Sequence, residues 1–219
     1  MSLRNLFGHL KDGGYKIIVF YFSLNLLLSI SSYLVPGSHV SLKLISVTAN
    51  ISLAEILLIV INFVVFLFTM AGAIGSYNDL LNDQIITFKS VIKNGSKYFF
   101  RTFVYSLVYR ILVGFMAVIP LTAYVLLLRQ TGNVTELLNN PAMEIFLGIG
   151  FQALAMPYIV LNVLSKSTKG YLGENYKFLL VFGIVATLIA YIPLAGRYLA
   201  ILITCIYYLL ILTQCDNSC

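Results

Sequence analysis

Residues 82–128 read NDQIITFKSVIKNGSKYFFRTFVYSLVYRILVGFMAVIPLTAYVLLL, and this stretch decides what kind of fold the chain can have. Over residues 83–94 the apolar side chains Ile85, Phe88 and Ile92 recur at helical spacing, with Leu81 one turn earlier. Lys89, Lys93 and Lys97 repeat every four residues beside them. Asn82 and Asp83 offer a cap for the start of such a helix, and Gly95 offers an end. A short helix of this composition is expected to lie on a membrane surface, apolar side toward hydrocarbon and ammonium groups toward anionic lipid head groups. Lys97, Tyr98 and Arg101 then mark the boundary between water and lipid. From Thr102 to Leu128 the only charged residue is Arg110. At about 1.5 Å per residue, Arg110 lies roughly 12 Å below Thr102, near the middle of a hydrocarbon core roughly 30 Å thick. An arginine at that depth costs about 2.5–3.5 kcal/mol on insertion scales, so it is expected to face protein or water.

Composition extends this to the whole chain. Of 219 residues, 60% are hydrophobic and 10% are charged, against about 25% charged in soluble domains. No soluble fold of this length hides so much apolar surface. The expected fold is all-α, a polytopic membrane helix bundle of six transmembrane helices forming one integral membrane domain. The spans are expected at 17–35, 53–75, 102–128, 145–165, 178–192 and 198–214, with an interfacial helix at 83–94. The first run is too long for the apolar region of a signal peptide and lacks a small-residue cleavage site, so it is expected to remain as a span. A net charge of +6 and a pI near 9.2 do not point to nucleic acid here, because the basic residues flank the spans.

Counting those residues sets an orientation. The N-terminus, the second-to-third loop and the fourth-to-fifth loop hold three, four and three lysines or arginines, against one each for Lys43, Arg129 and Arg197 in the other three loops. Both termini are therefore expected on the cytoplasmic side of a cell membrane. Glycosylation sequons at Asn50 and Asn133 fall in the expected outer loops. The second span ends in Met70-Ala71-Gly72-Ala73-Ile74-Gly75, small residues that allow close helix packing. Pro120 and Pro157 are expected to kink the third and fourth spans, and Pro193 to turn the chain. Leu10-Lys11-Asp12-Gly13 and Ile92-Lys93-Asn94-Gly95 match at an offset of 82 residues, each ahead of a tyrosine and an apolar run. With a weaker copy near 170–177, they point to three hairpin repeats, each opened by a basic surface segment.

Polar residues inside the spans form the candidate site: Arg110, Asn25, Asn62, Gln152 and Asn162. Arg110 either meets a substrate or is satisfied structurally by a carbonyl, by Asn25 at matching depth, or by a tyrosine. The amides either line a polar cavity or form interhelical hydrogen bonds worth roughly 0.6 kcal/mol each. Lys89, Lys93, Lys97 and Arg101 are the candidate contact for the membrane surface or for a membrane protein partner, the plainer alternative being that they anchor the helix and set its topology. Catalysis has little support. His9 and His39 fall on opposite sides of the membrane, and no metalloprotease, P-loop, dinucleotide or nucleophile-elbow motif occurs. No metal, cofactor or enzyme activity is expected. The partners expected are the lipid bilayer, anionic head groups and a membrane protein.

Residues 88–101, FKSVIKNGSKYFFR, placed just before a span, carry a resemblance. With the six-span layout, they make the chain similar to a broad group of poorly characterised bacterial six-span proteins. Those resemble the membrane domain fused to some glycerophosphodiester phosphodiesterases. The phosphodiesterase domain itself has no counterpart here, so the resemblance implies an accessory membrane protein and carries over no active site. Two functions follow as expectations: a non-catalytic accessory or interaction subunit, and alternatively a small-solute transporter or the substrate-binding subunit of one. A membrane enzyme acting on lipid is the third, and it would need a polar span residue such as Gln152 or Asn162 for turnover.

Overall fold

The chain reverses between Leu81 and Phe88, and the way it does so fixes the rest. In the computed structural model the described residues are 10–34, 53–127, 148–166, 175–190 and 196–216, with positions 8, 145 and 192. Among them the protein is all-helical, with six α-helices: α1 Tyr15–Leu34, α2 Leu53–Leu81, α3 Phe88–Leu127, α4 Met156–Val163, α5 Asn175–Ala190 and α6 Gly196–Asp216. Short π-helical segments, Leu10–Gly14 and Gly150–Ala155, precede α1 and α4. The helix positions agree with the apolar runs of the sequence, and α2 and α3 reach further toward each other than expected. The sequons at Asn50 and Asn133, the loop residues Lys43 and Arg129, His9, His39, the Pro193 turn and most of 170–177 lie outside the described residues.

The turn between α2 and α3 corrects the expected interfacial helix. Asp83 takes a left-handed conformation with φ 56°. The Asp83 N–H donates to the Leu80 carbonyl at 3.2 Å and the Gln84 N–H to the Asp79 carbonyl at 3.0 Å. This pair of bonds closes the C-terminus of α2, so Asp83 ends one helix and does not cap the next. The next begins at Thr87. Its Oγ1 accepts the Ser90 N–H at 3.1 Å, while the Thr87 N–H donates to Ser90 Oγ at 2.9 Å. These reciprocal bonds form a capping box, with serine in the place of the usual glutamate. From there α3 runs for 40 residues without a break at Gly95. A separate helix over 83–94 is absent, and its lysines sit on the first turns of α3.

Gly95 stays helical because of what lies across from it. A Cβ added there would stand 2.7 Å from Cζ of Phe68 on α2. The same close approach recurs along the seam: a Cβ on Gly72 would meet the Val91 carbonyl oxygen at 3.0 Å, and one on Gly75 would meet Asn94 Cβ at 2.8 Å. The small residues at 70–75 thus let α2 and α3 pack backbone to backbone, as their composition suggests. This is the most extensively packed helix pair. Buried Asn94 pins it by donating to Ser76 Oγ at 3.2 Å and to the Asp79 carboxylate at 2.6 Å.

The remaining helices wrap this hairpin. α6 packs on α1, α2, α4 and α5, and every residue from Tyr207 to Thr213 on it is buried. Its C-terminal half is thus enclosed on all sides, while Leu199 and Leu202 in the first half are exposed. Lys16 at the start of α1 donates to the Ile86 carbonyl at 2.9 Å, tying α1 to the α2–α3 turn. Gly13 supplies the bend before α1, at φ 138°, and packs against Ile86. The two copies of the repeated motif therefore differ: Gly13 bends the chain where Gly95 continues a helix.

Two segments, Ile56–Leu81 and Phe88–Met116, are long and apolar enough to cross a membrane, with mean hydropathy 2.6 and 1.4. Shorter apolar helical segments are Tyr15–Leu27, Gly150–Val163, Leu179–Ile189 and Leu199–Thr213. On α3 the outward stripe is Val104, Leu107, Val108, Ile111, Leu112, Phe115 and Met116, all exposed, while Thr102 and Ser106 are buried. Over 102–116 this helix is apolar outside and has buried hydroxyls inside, the reverse of an amphipathic helix in a soluble protein.

A buried polar face around Arg110

α3 places Thr102, Ser106 and Arg110 one turn apart on a single face. Each is turned into the bundle: Thr102 and Ser106 are almost wholly buried, and Arg110 is half-buried. The guanidinium of Arg110 lies over two aromatic rings, 5.6 Å from the centroid of Phe63 on α2 and 4.7 Å from that of Phe151. Stacking on rings is the usual way an interior guanidinium is held when no acid is at hand, worth up to about 2 kcal/mol per ring when water is excluded. Among the described residues no carboxylate pairs with it. Tyr208 of α6 is near enough to interact with it electrostatically.

Phe151 owes its position to the π-helical segment Gly150–Ala155. The Met156 N–H bonds back to the Phe151 carbonyl, a five-residue step. Pro157 follows within the first turn of α4. Proline has no N–H to give to the carbonyl four residues before it, so α-helical bonding is interrupted there and a wider turn takes its place. The expected proline effect in the fourth span is thus a change of helical register just before Pro157. Next in the chain stands Gln152, whose Oε1 is buried with no hydrogen-bond partner. The same holds for Arg110 Nε, Ser106 Oγ, Thr102 Oγ1 and the Tyr77 hydroxyl, while the Tyr208 hydroxyl has Tyr21 beside it. Buried polar atoms are satisfied in the great majority of cases, so a group of five on neighbouring helices calls for an explanation.

The five polar span residues are not one site. Arg110 lies over the Phe151 ring, and Gln152 is the next residue along the chain from that ring. Asn162 instead links helices, donating to the Tyr109 hydroxyl at 3.2 Å and to the Tyr158 carbonyl at 2.8 Å. The Tyr109 and Tyr158 rings stack at 6.0 Å beside it. Asn25 donates to the Tyr21 carbonyl of its own helix at 2.8 Å. Asn62 is half-buried on α2, next in sequence to Phe63. Sequence reasoning missed Phe63, Phe151 and Tyr208, which no spacing singles out. The stripe Thr102, Ser106, Arg110 was visible as an interval of four.

The basic residues divide as well. Lys89, Lys93 and Lys97 are exposed on the first turns of α3, next to exposed Phe88 and Ile92 and to Phe100, which is 72% exposed. Lys97 lies over the Tyr98 ring at 4.8 Å. Arg101 has a structural partner: its Nη1 donates to Ser165 Oγ at 2.9 Å and to the Val163 carbonyl at 3.5 Å, closing the end of α4. Among the described residues, no three His, Cys, Asp or Glu side chains come together as metal ligands. Comparison with known protein families, with curated proteins and with solved structures gives no match.

Proposed function

We propose that the chain is a six-span integral protein of the cell membrane, with both termini cytoplasmic, that acts without catalysis as an accessory or interaction subunit. The observation that carries this is the exposed ridge on the first turns of α3. Its 40 residues correspond to about 60 Å of helix, twice the hydrocarbon thickness. The end bearing Lys89, Lys93 and Lys97 therefore stands outside the core. There, ammonium groups alternate with exposed Phe88, Ile92 and Phe100, a surface suited to anionic lipid head groups together with an acidic, partly apolar face of a membrane protein. The outward apolar stripe of α3 supports the membrane setting.

The test is native mass spectrometry of the protein gently extracted from its own membrane, wild type beside the triple variant Lys89→Glu, Lys93→Glu, Lys97→Glu. A stoichiometric second protein on the wild type, lost from a variant with unchanged thermal stability, is the expected result. A lone chain in both samples overturns the interaction role. A second function, a small-solute transporter or its substrate-binding subunit, is favoured by one specific observation, the unpartnered polar atoms around Arg110.

A further inference from the structure

Two phenylalanine rings lie against the guanidinium of Arg110, with centroids 5.6 and 4.7 Å from its Cζ. An aromatic ring attracts the charge but accepts no in-plane N–H···O bond, so the N–H edge still calls for an acceptor. At Nε that edge is buried and unmet. The geometry calls for an acceptor arriving edge-on, and a carboxylate is the planar anion that fits a guanidinium edge with two parallel hydrogen bonds. Ser106, one turn away on the same face, brings a second unmet hydroxyl. Gln152 brings the opposite demand, since its buried Oε1 is an acceptor that lacks a donor. Beyond Arg110 by one further turn, a Cβ on Gly114 would meet nothing within 4 Å among the described residues.

We propose that this face binds a small molecule carrying one carboxylate with an adjoining hydroxyl, Arg110 and Ser106 taking the carboxylate and Gln152 accepting from the hydroxyl. One guanidinium supplies one positive charge. Among the described residues no second cation faces the site, so a monoanion is matched and a dianion such as sulfate is left with uncompensated charge in a low-dielectric interior. Phe63 and Phe151 flank the anion-binding edge and favour a ligand with a short apolar body. The proposal deepens the solute-binding function and rests on it only for biological purpose; the binding chemistry stands on the residues themselves.

The full chain reconstituted in lipid nanodiscs tests it by equilibrium binding of radiolabelled lactate. Propionate serves as the control without a donor, lactamide as the control without the anion, and inorganic sulfate as the dianion. Saturable binding of lactate is expected, weakened more than tenfold by Arg110→Gln and only partly by Arg110→Lys. Gln152→Leu is expected to erase the preference over propionate, and lactamide and sulfate are expected not to compete. If Arg110→Gln does not yield a monodisperse protein, Ser106→Ala and Gln152→Leu carry the same comparison. No saturable binding of lactate to folded wild type means the orphan atoms hold water only, and that overturns the proposal. Binding that Arg110→Gln leaves unchanged overturns it equally. Uptake of the bound acid into proteoliposomes separates the two ideas: binding without uptake keeps the site and removes transport, whereas uptake insensitive to Arg110→Gln keeps transport and removes the site.

Discussion

The two halves of α3 carry positive charge in opposite ways. In the first half, Lys89, Lys93 and Lys97 point outward, and the helix is held by close contact with α2 that Gly72, Gly75 and Gly95 make possible. In the second half the outward face is apolar, and the single charge, Arg110, points inward between two rings. One continuous helix therefore presents charge on its surface at one end and turns it inward at the other. The difference teaches that surroundings, not charge, assign these residues: a lysine ridge needs only solvent, whereas an interior guanidinium needs faces and edges accounted for, and its edge is not.

Substitutions sharpen or break this contrast. The largest effect is expected in the first half from Gly75→Ala, because the new Cβ would overlap Asn94 Cβ, which cannot swing away as a side-chain tip can. A loss of about 1–3 kcal/mol, read as a lowered thermal midpoint in detergent, is the expected cost of overpacking. An unchanged midpoint would mean that the two helices are not seated on one another by their glycines. In the second half, Phe151→Leu keeps an apolar side chain but removes the ring face under Arg110. About 0.5–2 kcal/mol is expected to be lost, and less in an Arg110→Met background, a coupling that a double-mutant cycle measures. Additive losses would separate the ring from the arginine. The smallest effect is expected from Thr87→Ala. It removes one arm of the capping box at the start of α3, typically about 1 kcal/mol, and hydrogen exchange should rise in the first turn alone while Arg110 and its neighbours stay protected.

Much of the fold is legible in the sequence because apolar runs and small-residue stretches report burial and packing directly. The helices follow the apolar runs, 70–75 packs closely as its residues suggest, and Arg110 turns inward as its insertion cost demands. The misassigned segment is 82–95, for a physical reason. Asp83 and Gly95 have the residue types of helix ends, but a helix end is chosen by competition. The Thr87–Ser90 box starts the helix later than expected, and Phe68 opposite Gly95 makes glycine a packing requirement where it reads as a stop. The Leu10–Gly13 copy of the motif lacks such an opposing ring and does bend. At the candidate site, Arg110 and Gln152 were legible as polar residues in apolar runs. Phe63 and Phe151 were not, since a phenylalanine in such a run looks like any other, and the π-helical turn that aims Phe151 depends on Pro157 six residues further on.

The arrangement rests on α3 crossing the bilayer with its lysine end in the cytoplasm, and single-cysteine accessibility measures this most directly. In a background with Cys205, Cys215 and Cys219 replaced by alanine, Lys93→Cys and Val108→Cys are treated with a membrane-impermeant maleimide in right-side-out and in inverted vesicles. Labelling of Lys93→Cys in inverted vesicles only, with Val108→Cys protected in both until detergent is added, is the predicted result. Labelling of Lys93→Cys from the outside would reverse the topology, and ready labelling of Val108→Cys in intact vesicles would contradict a lipid-facing α3 altogether.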